Sequence, residues 1–262
     1  MNKPVLLLIP GLLNTPAVFD RLRTHLDPAI DLRIASVHTQ ASLAAMAADA
    51  WALLADLPAQ QPVVIAGFSM GGYVAWQMLA NAVDGADGAN GANGAYGAGA
   101  PRPVQGLALI NTSARADTPE GLLNREKAIT AMATDFDKFV DGLCRLALTP
   151  AGHADAVLLA EVQALMRCVG PVAASAQTRA LLQRPDRRPW LPTLRLACQV
   201  VGGADDAITL PAWSQEMADL IPGARLALLP GMGHMLPLER PAELAALLHS
   251  LLQRVSPAIP TA

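Results

Sequence analysis

Six short aliphatic runs recur along the 262 residues: Val5 to Ile9, Leu32 to Val37, Val63 to Ala66, Leu107 to Ile110, Leu196 to Val201 and Leu226 to Leu229. No other feature constrains the fold as much. Runs this short that carry no polar alternation read as strands buried on both faces. Between most of them lie stretches with helical spacing: Ala17 to Leu26, Leu43 to Leu57, Gly72 to Ala82, Ala212 to Leu220 and Ala242 to Leu252. Strand alternating with helix predicts an α/β fold with a mainly parallel sheet of about six strands, covered by helices on both sides. A chain of this length fits one such domain with an insertion.

The alternation lapses once. From Ser113 to Trp190 only helix-like segments occur, among them Asp135 to Leu148 and Ala154 to Val169. This predicts a helical lid at residues 113–190, inserted into a core made of residues 1–112 and 191–262. A second irregularity is the Gly/Ala/Asn run of residues 84–103, which has no apolar residues to pack and reads as a flexible surface loop.

Composition removes several function classes. With 16% charged residues and a net charge of −3, the chain has no basic footprint for nucleic acid. Cys144, Cys168 and Cys198 form no C-x-x-C pair and have no histidine at metal spacing. A disulfide framework or zinc site is therefore not expected, and a reducing cytoplasm is the default. Lys3 ahead of an apolar run imitates a signal peptide, but Pro10 and Gly11 interrupt it. No apolar run is expected to span a membrane, so the expectation is a cytoplasmic, soluble protein, monomeric or a small homo-oligomer.

The chemistry centres on Ser69. In GFSMG, Gly67 to Gly71, the serine follows VVIA and precedes the helix-like GYVAWQML. G-x-S-x-G in that context places a hydroxyl on a sharp strand-to-helix turn, flanked by residues small enough to avoid the neighbouring backbone. A serine hydroxyl attacks only after a base takes its proton, and that base needs a carboxylate to fix its tautomer. Of five histidines, His25 and His38 precede the serine, His153 falls in the insertion and His249 sits on a late helix. His234, in LLPGMGHMLPLERPAEL, follows a strand and a glycine-rich turn and is the candidate base. The candidate acid lies in GGADDAITLP, at the end of a strand between Ser69 and His234. Asp205 has G-x-x-D spacing from Gly202, whereas Asp206 begins a D-x-hydrophobic-Thr pattern with Ile208 as apolar anchor. Asp206 is favoured and Asp205 stays open. The oxyanion donors expected are the N–H of Met70, at a helix start, and that of Leu12, in the turn after the first strand.

With these residues in hand, the chain resembles the α/β-hydrolase fold superfamily over nearly its whole length. GFSMGGYVAW is similar to its nucleophile elbow, DDAIT to its acid turn and GHMLPLERPAEL to its histidine loop. Within the superfamily the chain resembles small bacterial esterase-like serine hydrolases. It departs in having Pro10-Gly11 where His-Gly is common, and in starting its sheet at the usual third strand. The resemblance implies hydrolysis of carboxylic esters through an acyl-enzyme, on small and largely apolar substrates. Thioesterase, enol-lactonase, C–C bond hydrolase and acyltransferase chemistry use the same triad, and a non-catalytic binding member is a further alternative. No metal or organic cofactor is expected, since an activated serine and a polarised carbonyl suffice. The expected substrate-binding side chains are Leu13, Phe68, Met235 and Leu236.

Overall fold

The computed structural model describes residues 3–58, 60–84 and 104–256. In chain order the elements are β1 (Val5–Ile9), a 3₁₀ turn (Pro16–Phe19), α1 (Asp20–Arg23), β2 (Asp31–Ile34), α2 (Leu43–Ala52), β3 (Val63–Phe68), α3 (Met70–Asp84) and β4 (Gly106–Ile110). Four helices follow, α4 (Pro119–Thr134), α5 (Phe136–Ala147), α6 (Pro150–Ala154) and α7 (Ala156–Leu181). A second 3₁₀ turn (Arg188–Thr193), β5 (Ala197–Gly203), α8 (Pro211–Leu220), β6 (Arg225–Leu229), α9 (Leu236–Glu239) and α10 (Pro241–Val255) complete the chain. The Gly/Ala/Asn run after Asp84 lies outside the described residues.

The six strands form one sheet in the order β2-β1-β3-β4-β5-β6, and every neighbouring pair is parallel. Period-two geometry sends successive side chains to opposite faces, and each face is roofed by helices. Leu6, Leu8, Val64, Ala66, Phe68, Ala108 and Ile110 share one apolar cluster with α1, α10 and parts of α5 and α7. Val5, Leu7, Ile9, Val63, Ile65, Leu107 and Leu109 share the other with α2, α3 and α8. This double cover is why the inner strands are aliphatic throughout.

The chain winds outward from β1 to β2, then reverses and builds from β3 toward β6. That reversal puts a topological switch point between β1 and β3, and in such sheets the crevice beyond the carboxyl ends of the strands at this point is where ligands bind. The turns that leave β1 and β3 carry Leu12 and Ser69.

The expectation of no membrane-length apolar segment needs correction. The 26-residue α7 is long and apolar enough to cross a membrane by length and composition. Gly170, at φ 76°, followed by Pro171, breaks it into two arms. Glu161 pairs with Arg21, and Arg167 with Asp137 and Asp141.

Candidate active site

β3 ends in the bend that carries Ser69, whose φ of 52° lies in the left-handed region that L-residues seldom occupy. The flanking glycines make the bend possible. A Cβ on Gly67 would lie 2.4 Å from the carbonyl oxygen of Gly71, and one on Gly71 would lie 2.1 Å from that of Ile9. The bend is fastened to β4, because Ser69 N–H donates to the Ile110 carbonyl at 2.9 Å and Thr112 Oγ1 donates to the Ser69 carbonyl at 2.8 Å. Ser69 Oγ then lies 2.9 Å from His234 Nε2.

On the far side of the imidazole, His234 Nδ1 is 2.8 Å from Asp206 Oδ2. Asp206 is 2% exposed and fully bonded. Its Oδ1 accepts from Ile208 N–H at 2.8 Å and Thr209 N–H at 2.9 Å, while Oδ2 also accepts from Thr209 Oγ1 at 2.6 Å and Asn111 Nδ2 at 2.7 Å. Burial pushes this carboxyl up, but the charge of His234 and the hydrogen bonds from His234, Thr209 and Asn111 together pull it down to about 2. Asp206 is thus a carboxylate at neutral pH, so Nδ1 carries the proton and Nε2 is left to accept from the serine. Asp205 is exposed, with its N–H on the Met232 carbonyl at 2.9 Å. The structure puts Asp206, not Asp205, beside the histidine.

The histidine loop is held from two directions. His234 N–H donates to the Ala147 carbonyl, at the end of α5, at 2.8 Å. The N–H groups of Gly233 and Met235, on either side of the histidine, donate to the two carboxyl oxygens of Glu239 at 3.2 and 2.9 Å. Burial pushes the Glu239 carboxyl up, against the pull of these two N–H groups.

At the mouth of the site, Gly11 lies against the nucleophile: a Cβ there would come within 3.0 Å of Ser69 Cβ. Leu12 follows in the same turn, partly exposed, and Met70 opens α3, where the first N–H groups have no partner within the helix. Among the described residues, neither the Leu12 nor the Met70 N–H is used by another group. The four side chains expected to bind substrate are buried. Leu13, Phe68 and Leu236 are 0% exposed and Met235 is 1% exposed, all within the core beneath the site. Partly buried apolar side chains packed on that cluster include Leu12 in the turn after β1 and Phe139, Leu143 and Leu159 of the inserted helices. No group of three or more His, Cys, Asp or Glu side chains among the described residues is placed to hold a metal ion.

The sequence model of the alpha/beta hydrolase family matches residues 6–247. The chain belongs to this family. It is 28% identical to a pimeloyl-[acyl-carrier protein] methyl ester esterase of Aromatoleum aromaticum, over 97% of this chain and 100% of that one. It is 29% identical to the enzyme of the same name from Neisseria meningitidis over 80% of this chain, and spans 62%, less than two thirds, of that relative's length. Among solved structures, a thermophilic esterase from Thermogutta terrifontis, with malate bound, superposes with a TM-score of 0.80 at 23% identity, covering 96% of this chain and 90% of that one.

Three polar groups of this hydrolase were not singled out in the sequence. Asn111 stands at the first position after an all-apolar strand, a signal that was available. Glu239 lies in the quoted histidine loop, but nothing in its spacing tells that it bonds backward to two backbone groups. Gln177 lies on the arm of α7 beyond Gly170, where the helical reading stopped at Val169.

Proposed function

We propose that the chain hydrolyses carboxylic esters with Ser69 as nucleophile, His234 as general base and acid, and Asp206 as the carboxylate that orients the imidazole. The observation that carries this reading is the unbroken hydrogen-bonded line from Ser69 Oγ through His234 to Asp206. As Ser69 Oγ attacks the ester carbonyl, its proton passes to His234 Nε2, and Asp206 stabilises the imidazolium. The carbonyl oxygen becomes an oxyanion held by the N–H groups of Leu12 and Met70, which no other described group uses. Collapse expels the alcohol, which takes the proton from Nε2. Water, deprotonated by the same nitrogen, attacks the acyl-serine; the bond to Ser69 Oγ breaks, Oγ takes the proton back from Nε2, and the acid is released. These steps use no cofactor.

Residues 113–190 act in this reading as a lid on the core of residues 1–112 and 191–262, over a small, largely apolar acyl or alkyl group. Methyl esters are the first substrates to test, because the relatives named above are methyl ester esterases. The protein acts in the cytoplasm on a small-molecule ester, as a monomer or small homo-oligomer, and binds neither membrane nor nucleic acid. The test is a panel of p-nitrophenyl esters of graded chain length, methyl esters and acyl thioesters, run beside Ser69→Ala. Hydrolysis of the esters, lowered roughly 10³-fold or more in a folded Ser69→Ala variant, is expected. A variant that retains full turnover, or a wild type that turns over only thioesters, sinks the reading.

A further inference from the structure

The turn that offers the Leu12 N–H is held by a side chain from the inserted helices. Gln177, on the second arm of α7, is fully buried. Its Oε1 accepts the N–H of Leu13 at 3.1 Å and its Nε2 donates to the Val37 carbonyl, just beyond β2, at 3.4 Å. The carbonyl of Leu12 accepts from Asn14 Nδ2 at 2.8 Å. Both polar groups of the peptide unit joining Leu12 to Leu13 are therefore fixed by side chains.

That fixing matters because of the backbone it acts on. Leu13 sits at φ 59°, a left-handed conformation that persists in an L-residue only where its surroundings impose it. Gly11, one residue before the donor, has no side chain to resist rotation of its own peptide unit. Without the acceptor on Gln177, the turn can relax and swing the Leu12 N–H away from the reacting carbonyl.

Resting on the ester-hydrolase reading, we propose that Gln177 is a positioning residue for the oxyanion turn, so that the insertion takes part in transition-state stabilisation as well as covering the site. Gln177 touches no substrate; it acts through Leu13. Because the oxyanion exists only on the way to the tetrahedral intermediate, losing this support lowers kcat and leaves KM nearly unchanged.

Gln177→Leu tests this, with kcat, KM, inhibition by a trifluoromethyl ketone that forms a hemiketal oxyanion on Ser69, and exchange of the Leu13 amide as readouts. The expected result is a kcat lower by roughly 10- to 100-fold, KM within about threefold, ketone affinity weakened by a factor similar to that in kcat, and Leu13 exchange at least about tenfold faster. A lower kcat with undiminished ketone affinity, or no change in either, overturns the proposal. If Gln177→Leu does not fold, Gln177→Met decides: it is close in shape and offers Leu13 N–H no comparable acceptor. The same fall in kcat and ketone affinity and the same faster Leu13 exchange are expected, and undiminished ketone affinity overturns the proposal. A wild type inactive on every ester would sink the function alone, and Leu13 exchange would still decide whether Gln177 holds the turn.

Discussion

Asn111 donates its side-chain amide to Asp206 Oδ2 at 2.7 Å and, from the same nitrogen, to the Gly233 carbonyl at 3.2 Å. One fully buried side chain thus joins Asp206 to the backbone directly before His234. Asn111 has φ 44°, which asparagine tolerates better than most residues, and its own N–H is bonded to the Val201 carbonyl on β5 at 2.9 Å.

The first prediction follows from that bond. Asn111→Ala should lower kcat roughly 10- to 100-fold by loosening Asp206 and the histidine loop together. Asn111→Asp should do more, since it sets a second carboxylate against the first. The pair can hold only one full charge comfortably, so one folded-state pKa is raised above its unfolded value. Its contribution to stability is present at low pH and lost as pH rises through the raised value. Urea melts of Asn111→Asp should show a deficit against wild type that is larger at pH 8 than at pH 5; an equal deficit at both would mean that the carboxylates do not meet.

A second prediction separates the adjacent aspartates. Asp206→Asn should reduce kcat by roughly 10² to 10⁴, because the amide cannot stabilise the imidazolium and favours the wrong tautomer. Asp205→Asn should cost less than about tenfold, as its side chain is exposed. The reverse ranking in steady-state kinetics would move the acid to Asp205.

Acid stability gives the third. Asp206 has a folded-state pKa of about 2, below the unfolded value of about 3.9. A depressed carboxyl contributes stability above its unfolded pKa, and that contribution is lost as pH falls through the folded one. On the order of 2 kcal/mol should therefore disappear from wild type between about pH 5 and pH 2. Asp206→Asn, lacking this titration, should lose less over the same range in denaturant melts. A parallel decline of the two proteins would contradict the assignment.

The fourth concerns Glu239. Glu239→Gln keeps one acceptor for the N–H groups beside His234 and Glu239→Leu keeps none, so kcat should rank wild type, Gln, Leu, spanning roughly tenfold or more. Glu239 titrates with the opposite sign to Asp206: burial raises its pKa, so the stability linked to its neutral form is present at low pH and lost as pH rises. Wild type should therefore lose more stability than Glu239→Leu as the pH rises above the ordinary glutamate value of about 4.3. Equal activities in all three proteins would make the bracket irrelevant to catalysis.

The fold was legible because a doubly covered parallel sheet leaves its strands no room for polar side chains. VLLLI and VVIA announced themselves in this way, and β1 and β3 lie where they were expected. Leu32 to Val37 shortened to Asp31–Ile34 because an edge strand pairs on one side only, with the β1 register ending at Leu8 opposite Ile34. The helix expected over Ala17 to Leu26 divides into a 3₁₀ turn after Pro16 and the short α1. Ser69, Asp206 and His234, which the structure brings into one hydrogen-bonded line, each follow a strand in a turn of restricted composition. The side chains expected to bind substrate are buried for a geometric reason: Phe68 is the last residue of β3 and Leu13 closes its turn, so both pack into the core. Asn111 and Gln177 act on residues 95 and 164 positions away, and no local pattern encodes such partners; Glu239 reaches back only six and four residues, to backbone N–H groups whose use depends on how the loop bends.

The bond from His234 N–H to the Ala147 carbonyl bears on engineering by exchange of parts. Chain-length preference in an enzyme of this architecture invites chimeras in which residues 113–190 are swapped for those of a relative. Here that exchange also replaces the carbonyl that seats the base. A Cβ on Gly233 would lie 2.7 Å from the Ala147 oxygen, so the two backbones meet with no slack to absorb a donor helix of different length. Chimeras should succeed when the junction keeps α5 ending at the Ala147 position, and should fold yet turn over slowly when it is shifted by even one residue.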